Sequence, residues 1–80
     1  MNEIQTVQLF KCLADRSRLR IVQALLEEDM YTERLAQRLA LTPATISFHL
    51  KKLEEAGLVE TRKEQYYVVA SLKEDVLKQS

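Results

Sequence analysis

The residues best suited to chemistry lie between Leu41 and Leu58, in the stretch LTPATISFHLKKLEEAGL. Ala44, Thr45, Ser47, Phe48, Lys51 and Lys52 share one side of a helical period, small or hydroxylated first and basic further along. A slim, hydroxyl-bearing face can approach base edges in a major groove, and cations behind it can meet phosphates. From Arg34 to Leu53 the chain carries Arg34, Arg38, Lys51 and Lys52 and no Asp or Glu. Over the whole chain acids are as common as bases, so this interval is a local positive field of the kind a phosphate backbone attracts. A solvated run of surface charge would give the same pattern without any partner.

Other chemistry is thin. Cys12 and His49 are the only residues of their kinds, which excludes an internal disulfide and a cysteine-only metal site. Cys12 reads as a small core or interface hydrophobe. There is one histidine, no usefully spaced acid pair and no glycine-rich phosphate loop, so an enzyme has almost no support and no cofactor or metal is expected. Lys plus Arg and Asp plus Glu number 12 each, so any case for nucleic acid rests on how charge is distributed. Hydrophobic residues make up 46% of the 80, enough for one small folded domain. No apolar run approaches a membrane span, and MNEIQTVQLF lacks the layout of a signal peptide, so a cytoplasmic location is expected.

Several elements must position that face. Thr42 is placed to cap a helix, Pro43 suits its first position, and Gly57 suits a left-handed cap past its end. Ile46, Leu50 and Leu53 give the helix its buried side. A shorter helix starts at Thr32, with Leu35, Ala36 and Leu39 inward, and reaches Thr42 through a tight turn. Two helices so joined form a helix-turn-helix. If Ala40 takes a positive φ in that turn, the cost is roughly 1 kcal/mol. Upstream, Asp15 can cap a helix from Arg16 to about Glu28, though Glu27, Glu28 and Asp29 have the wrong sign for its end. Arg16, Arg18 and Arg20 can pair with acids there, or Ser17 and Arg18 can meet a DNA backbone.

The first helix, Asn2 to Leu13, is apolar beyond one stripe. Ile4, Val7, Phe10, Leu13 and Ala14 recur at helical steps, and Leu9 and Cys12 widen the sector. One stripe suffices for a surface helix, so the excess predicts contact with a second subunit as well as the core. After Gly57, LVETR and YYVVA are strand-prone and flank Lys63-Glu64-Gln65, which predicts a hairpin. Ser71 is expected to cap a last, short helix with Leu72, Val76 and Leu77 on one side. The predicted class is mainly α with a small β-hairpin, in the order α-α-α-α-β-β-α. Residues 1–80 are read as one domain, either whole or the N-terminal part of a longer chain.

With those residues in view, the chain resembles the ArsR family of bacterial winged-helix repressors from about Leu9 to Leu72. CLADRSRLRIV (Cys12 to Val22) resembles the opening of the family's second helix. TPATISFHLKKLEEAGLV resembles its recognition helix, matching at Ser47, His49, Leu50, Lys51, Leu53, Ala56, Gly57, Leu58 and Val59. The resemblance implies a homodimer held by the first and last helices, here Ile4, Val7, Leu9, Leu72 and Val76, on a palindromic operator in double-stranded DNA. It places Thr42, Ala44, Thr45, Ser47 and Phe48 near bases and His49 and Lys51 toward the backbone. A satisfied structural histidine is the other reading of His49. It puts Arg62 and Lys63 at the wing tip, where the usual glycine is replaced by Glu64-Gln65. Many members bind thiophilic metal through an ELCVCDL motif. Here the stretch is DMYTERL, with Tyr31 and Glu33 at the cysteine positions, so no metal site is expected and the effector is open. The function expected is a sequence-specific DNA-binding regulator, a repressor. The alternative is a winged-helix module that binds protein and not DNA, which an exposed Phe48 would favour.

Overall fold

The computed structural model describes residues 1–75. Its elements are α1 (Glu3–Leu13), α2 (Arg16–Glu27), β1 (Met30–Tyr31), α3 (Thr32–Leu39), α4 (Pro43–Glu55), β2 (Val59–Glu64) and β3 (Tyr67–Leu72). The three strands form one antiparallel sheet in the order β1-β3-β2. The chain is thus mainly helical with a small sheet, as its periodicity predicts. β1 is the addition: Met30 and Tyr31 pair with Ala70 and Val69, too short a strand to leave a period in the sequence.

Helix starts follow local chemistry. The Asn2 side chain accepts from the Gln5 N–H at 2.8 Å while the Gln5 side chain accepts from the Asn2 N–H at 3.0 Å, a capping box. Asp15 caps α2 by accepting from the Arg18 N–H at 3.0 Å. Thr42 caps α4 by accepting from the Thr45 N–H at 3.1 Å, with Pro43 next.

The helix-turn-helix is closed by two like C-termini. Ala40 has φ 58°, and the Leu41 N–H reaches back to the Ala36 carbonyl at 2.9 Å. Gly57 has φ 78°, and the Leu58 N–H reaches the Leu53 carbonyl at 3.0 Å. Both are Schellman endings. Gly57 adopts its φ freely, whereas Ala40 bears the strain foreseen above. Burial offsets it, because Leu41, the next residue, packs against the core.

The core joins Leu9 of α1, Ile21, Val22, Ala24 and Leu25 of α2, Leu35 and Leu39 of α3, and Ile46, Leu50 and Leu53 of α4 to Met30, Val59 and Ala70 of the sheet. Two expectations are corrected here. Leu9 is buried in this core and so is not free for a partner, while Ile4 (70% exposed), Val7 and Phe10 form the open face. Leu72 ends β3 opposite Val59 and packs on the core. Ser71 is therefore a strand residue, not a helix cap, because β2 is long enough to keep pairing to that point. Val76 and Leu77 lie outside the described residues.

The hairpin turn also moves. Glu64 pairs with Tyr67, leaving the two-residue loop Gln65-Tyr66 instead of Lys63-Glu64-Gln65. Gln65 takes φ 56°, a position where tight hairpins favour glycine.

Candidate nucleic-acid interface

α4 presents two distinct sides. Ile46, His49, Leu50 and Leu53 point inward; Ala44, Ser47, Phe48, Lys51 and Lys52 are exposed. Thr42 is exposed and Thr45 half-buried at the N-terminus. The Thr42 hydroxyl donates to Thr45 Oγ1 at 2.9 Å while accepting from the Thr45 N–H. That leaves the Thr45 hydroxyl proton free to donate outward, toward an acceptor such as a purine N7 or a pyrimidine O4. Phe48 is 57% exposed, and the Lys52 ammonium sits 5.7 Å from its ring centroid. Lys52 is thereby drawn along the helix surface by a cation–π contact.

The positive interval of the sequence is not acid-free in space. Arg34 pairs with Glu28 at 2.8 Å, Arg38 with Glu27, and Arg62 with Asp29 at 3.5 Å. The run Glu27-Glu28-Asp29, unfavourable for the end of α2, is thus matched acid by acid with arginines from α3 and β2. Neither Arg34 nor Arg38 stands as an uncompensated cation, and the positive charge on the exposed side of α4 comes from Lys51 and Lys52. These arginine pairs are about half exposed, so each is a weak, exchangeable contact.

Arg62 is also held by Glu64 at 2.5 Å. These acids, Glu64 first, make the Arg62 guanidinium hold its proton more firmly than usual. Lys63 lies opposite Val68 on the exposed end of the hairpin. Tyr66 is 93% exposed at the tip. Sequence reasoning placed the turn elsewhere and so missed it. Tyr31, at the metal-motif position, packs against Tyr67 with ring centroids 4.8 Å apart and planes inclined at 43°. Among the described residues no three His, Cys, Asp or Glu side chains gather around a point that could hold an ion, and no helix is long and apolar enough to cross a membrane.

His49 is buried, 9% exposed, with Nδ1 3.2 Å from Arg18 Nη1. Of its two readings, the buried structural one matches this placement. The spacing offered a signal: His49 stands three residues after Ile46 and four before Leu53, on the apolar side. Arg18 donates from Nε to the Cys12 carbonyl at 2.7 Å and lies 3.9 Å from Asp15, which favours its structural role. The Arg18 N–H, then its guanidinium, hold the Asp15 carboxyl below its ordinary range. That stabilising contribution is present above the usual carboxylate pKa and fades as pH falls through the lowered value. Burial pushes the Cys12 thiol up, against the pull of Arg18, so it is not an activated thiolate.

A family profile described as a helix-turn-helix domain matches residues 13–62. The chain is 38% identical over 71 residues to the transcriptional activator HlyU of Vibrio cholerae, covering 89% of this chain and 66% of that protein. It is 37% identical over 70 residues to YceK of Bacillus subtilis, an uncharacterized HTH-type transcriptional regulator, covering 85% and 70%. A homodimeric winged helix-turn-helix DNA-binding domain from Mycobacterium bovis, described as a possible ArsR-family regulator, superimposes with a TM-score of 0.86 at 31% identity, covering 92% of this chain and 69% of that one.

The chain belongs to the ArsR family of winged helix-turn-helix transcriptional regulators.

These relatives are regulators and not enzymes. In ArsR terms α3 and α4 are the helix-turn-helix, α4 the recognition helix, and β2–β3 the wing. The match spans between half and about seven-tenths of the curated relatives' lengths.

Proposed function

We propose that this ArsR-family chain is a cytoplasmic, sequence-specific DNA-binding regulator that acts as a homodimer on a palindromic operator and represses by occupying it. The carrying observation is the exposed side of α4, which offers Ala44, Ser47 and Phe48 and then Lys51, with no carboxylate before Glu54. Thr42, Ala44, Thr45, Ser47 and Phe48 face the bases, and Lys51 meets a phosphate. Ile4, Val7 and Phe10, exposed together on α1, supply the dimer face. A V. cholerae relative is named an activator, so the sign of regulation is decided by a transcription assay on the bound promoter.

The test is an anisotropy titration with a duplex from upstream of the protein's own gene, beside a scrambled duplex, at two salt concentrations. Tight, salt-sensitive binding to the first alone is expected. Equal, weak binding to both would favour a protein-interaction module, the reading to which the exposed Phe48 ring lends support.

A further inference from the structure

The corner between α1 and α2 grips the recognition helix at two successive turns. Arg18 reaches from the first turn of α2 to His49 of α4, its Nη1 3.2 Å from Nδ1. One turn on, the Cys12 thiol donates to the Lys52 carbonyl at 3.7 Å. Arg18 is itself fixed from both sides, by the Cys12 carbonyl at the end of α1 and by Asp15, the α2 cap. Its side chain is only 16% exposed. A guanidinium has donors and no acceptor. His49 Nδ1 must therefore accept, which requires a neutral ring with its proton on Nε2. An imidazolium would set N–H against N–H and cation against cation at this contact.

We propose that Arg18 is a positioning residue for DNA recognition, acting through His49 to set where α4 stands relative to α1. This rests on the DNA-binding reading above and deepens it. Two recognition helices in a dimer must match half-sites about one helical turn apart, near 34–36 Å. α1 carries the open apolar face, so the α1–α4 spacing sets the separation of the two readers. Slackening it costs operator preference, whereas contact with any phosphate backbone survives.

The experiment measures the ratio of operator to scrambled-duplex affinity at pH 8, a ratio that cancels any general change in attraction to phosphate. His49→Asn keeps an acceptor two bonds from Cβ and should hold the wild-type ratio. His49→Leu, with its fold checked by circular dichroism, and Arg18→Met, which keeps an apolar stem and loses every donor, should each lower the ratio by about tenfold or more, the scale of one hydrogen bond to a charged group. A folded His49→Leu or Arg18→Met protein with the wild-type ratio overturns the proposal, and so does a His49→Asn protein as poor as His49→Leu. A wild type with no operator preference overturns the DNA reading itself, a result distinct from these. If His49→Leu fails to fold, Arg18→Met and His49→Asn still decide.

Discussion

The recognition helix and the wing are built with opposite degrees of readiness for a partner. α4 is capped at Thr42, ended by a strain-free Gly57 and pinned inward by Ile46, Leu50 and Leu53. Ala44 and Ser47, outward near its N-terminus, are short, and Lys51 makes no ion pair among the described residues. The wing turns on a non-glycine residue at φ 56°, and Arg62, the arginine of β2, is tied to Glu64 and Asp29. A reader built on a rigid helix can bind without rearrangement. A wing arginine must first release two carboxylates. On this account base recognition resides in α4, and the wing adds little in the free protein's conformation.

Four changes would break or sharpen that contrast. The largest effect belongs to Ile46→Ala, which empties a fully buried position beneath the reading face. It should lower stability by about 2–5 kcal/mol in a denaturant melt; a loss under ~1 kcal/mol would mean that α4 is not anchored there. On DNA, Lys51→Ala should weaken binding to all sequences and reduce the salt slope by about one. An unchanged slope removes Lys51 from the phosphate contacts. In the wing, Gln65→Gly should raise stability by about 1 kcal/mol by relieving the positive φ. Destabilisation would show that the strain is absent or that the side chain has a partner. Smallest of all, Arg62→Ala should change operator affinity by at most about 1 kcal/mol, since an exposed pair is worth no more. A tenfold or greater loss would make the wing a principal reader.

Legibility in the sequence divides along the same line. Thr42-Pro43 and Gly57 bracket α4 by local chemistry alone, and the spacing of Ile46, Leu50 and Leu53 shows which side faces inward. The Ala40 left-handed turn was foreseeable from the tightness of the link, but its compensation by Leu41 burial was not. The acids at Glu27, Glu28 and Asp29 looked like a poor helix end because their partners lie at Arg38, Arg34 and Arg62, distant in sequence and unsignalled by any period. For His49 the family resemblance points toward the DNA backbone and the structural reading points inward; its spacing on the apolar side already favours the second, which burial matches. Leu72 was assigned to a helix because Ser71 resembles a cap, while cross-strand pairing to Val59 is a non-local fact. Leu9 was grouped with Val7 as interface, yet the helical turn separates them, one to the core and one to solvent.

The most direct test is a binding selection from randomised duplexes with the wild type, Thr45→Val and Ser47→Ala. The account predicts that each substitution relaxes preference at particular base pairs, costing on the order of 1–3 kcal/mol there and leaving other positions alone. A uniform loss across all positions, with the pattern of preference unchanged, would contradict base reading by the exposed side of α4.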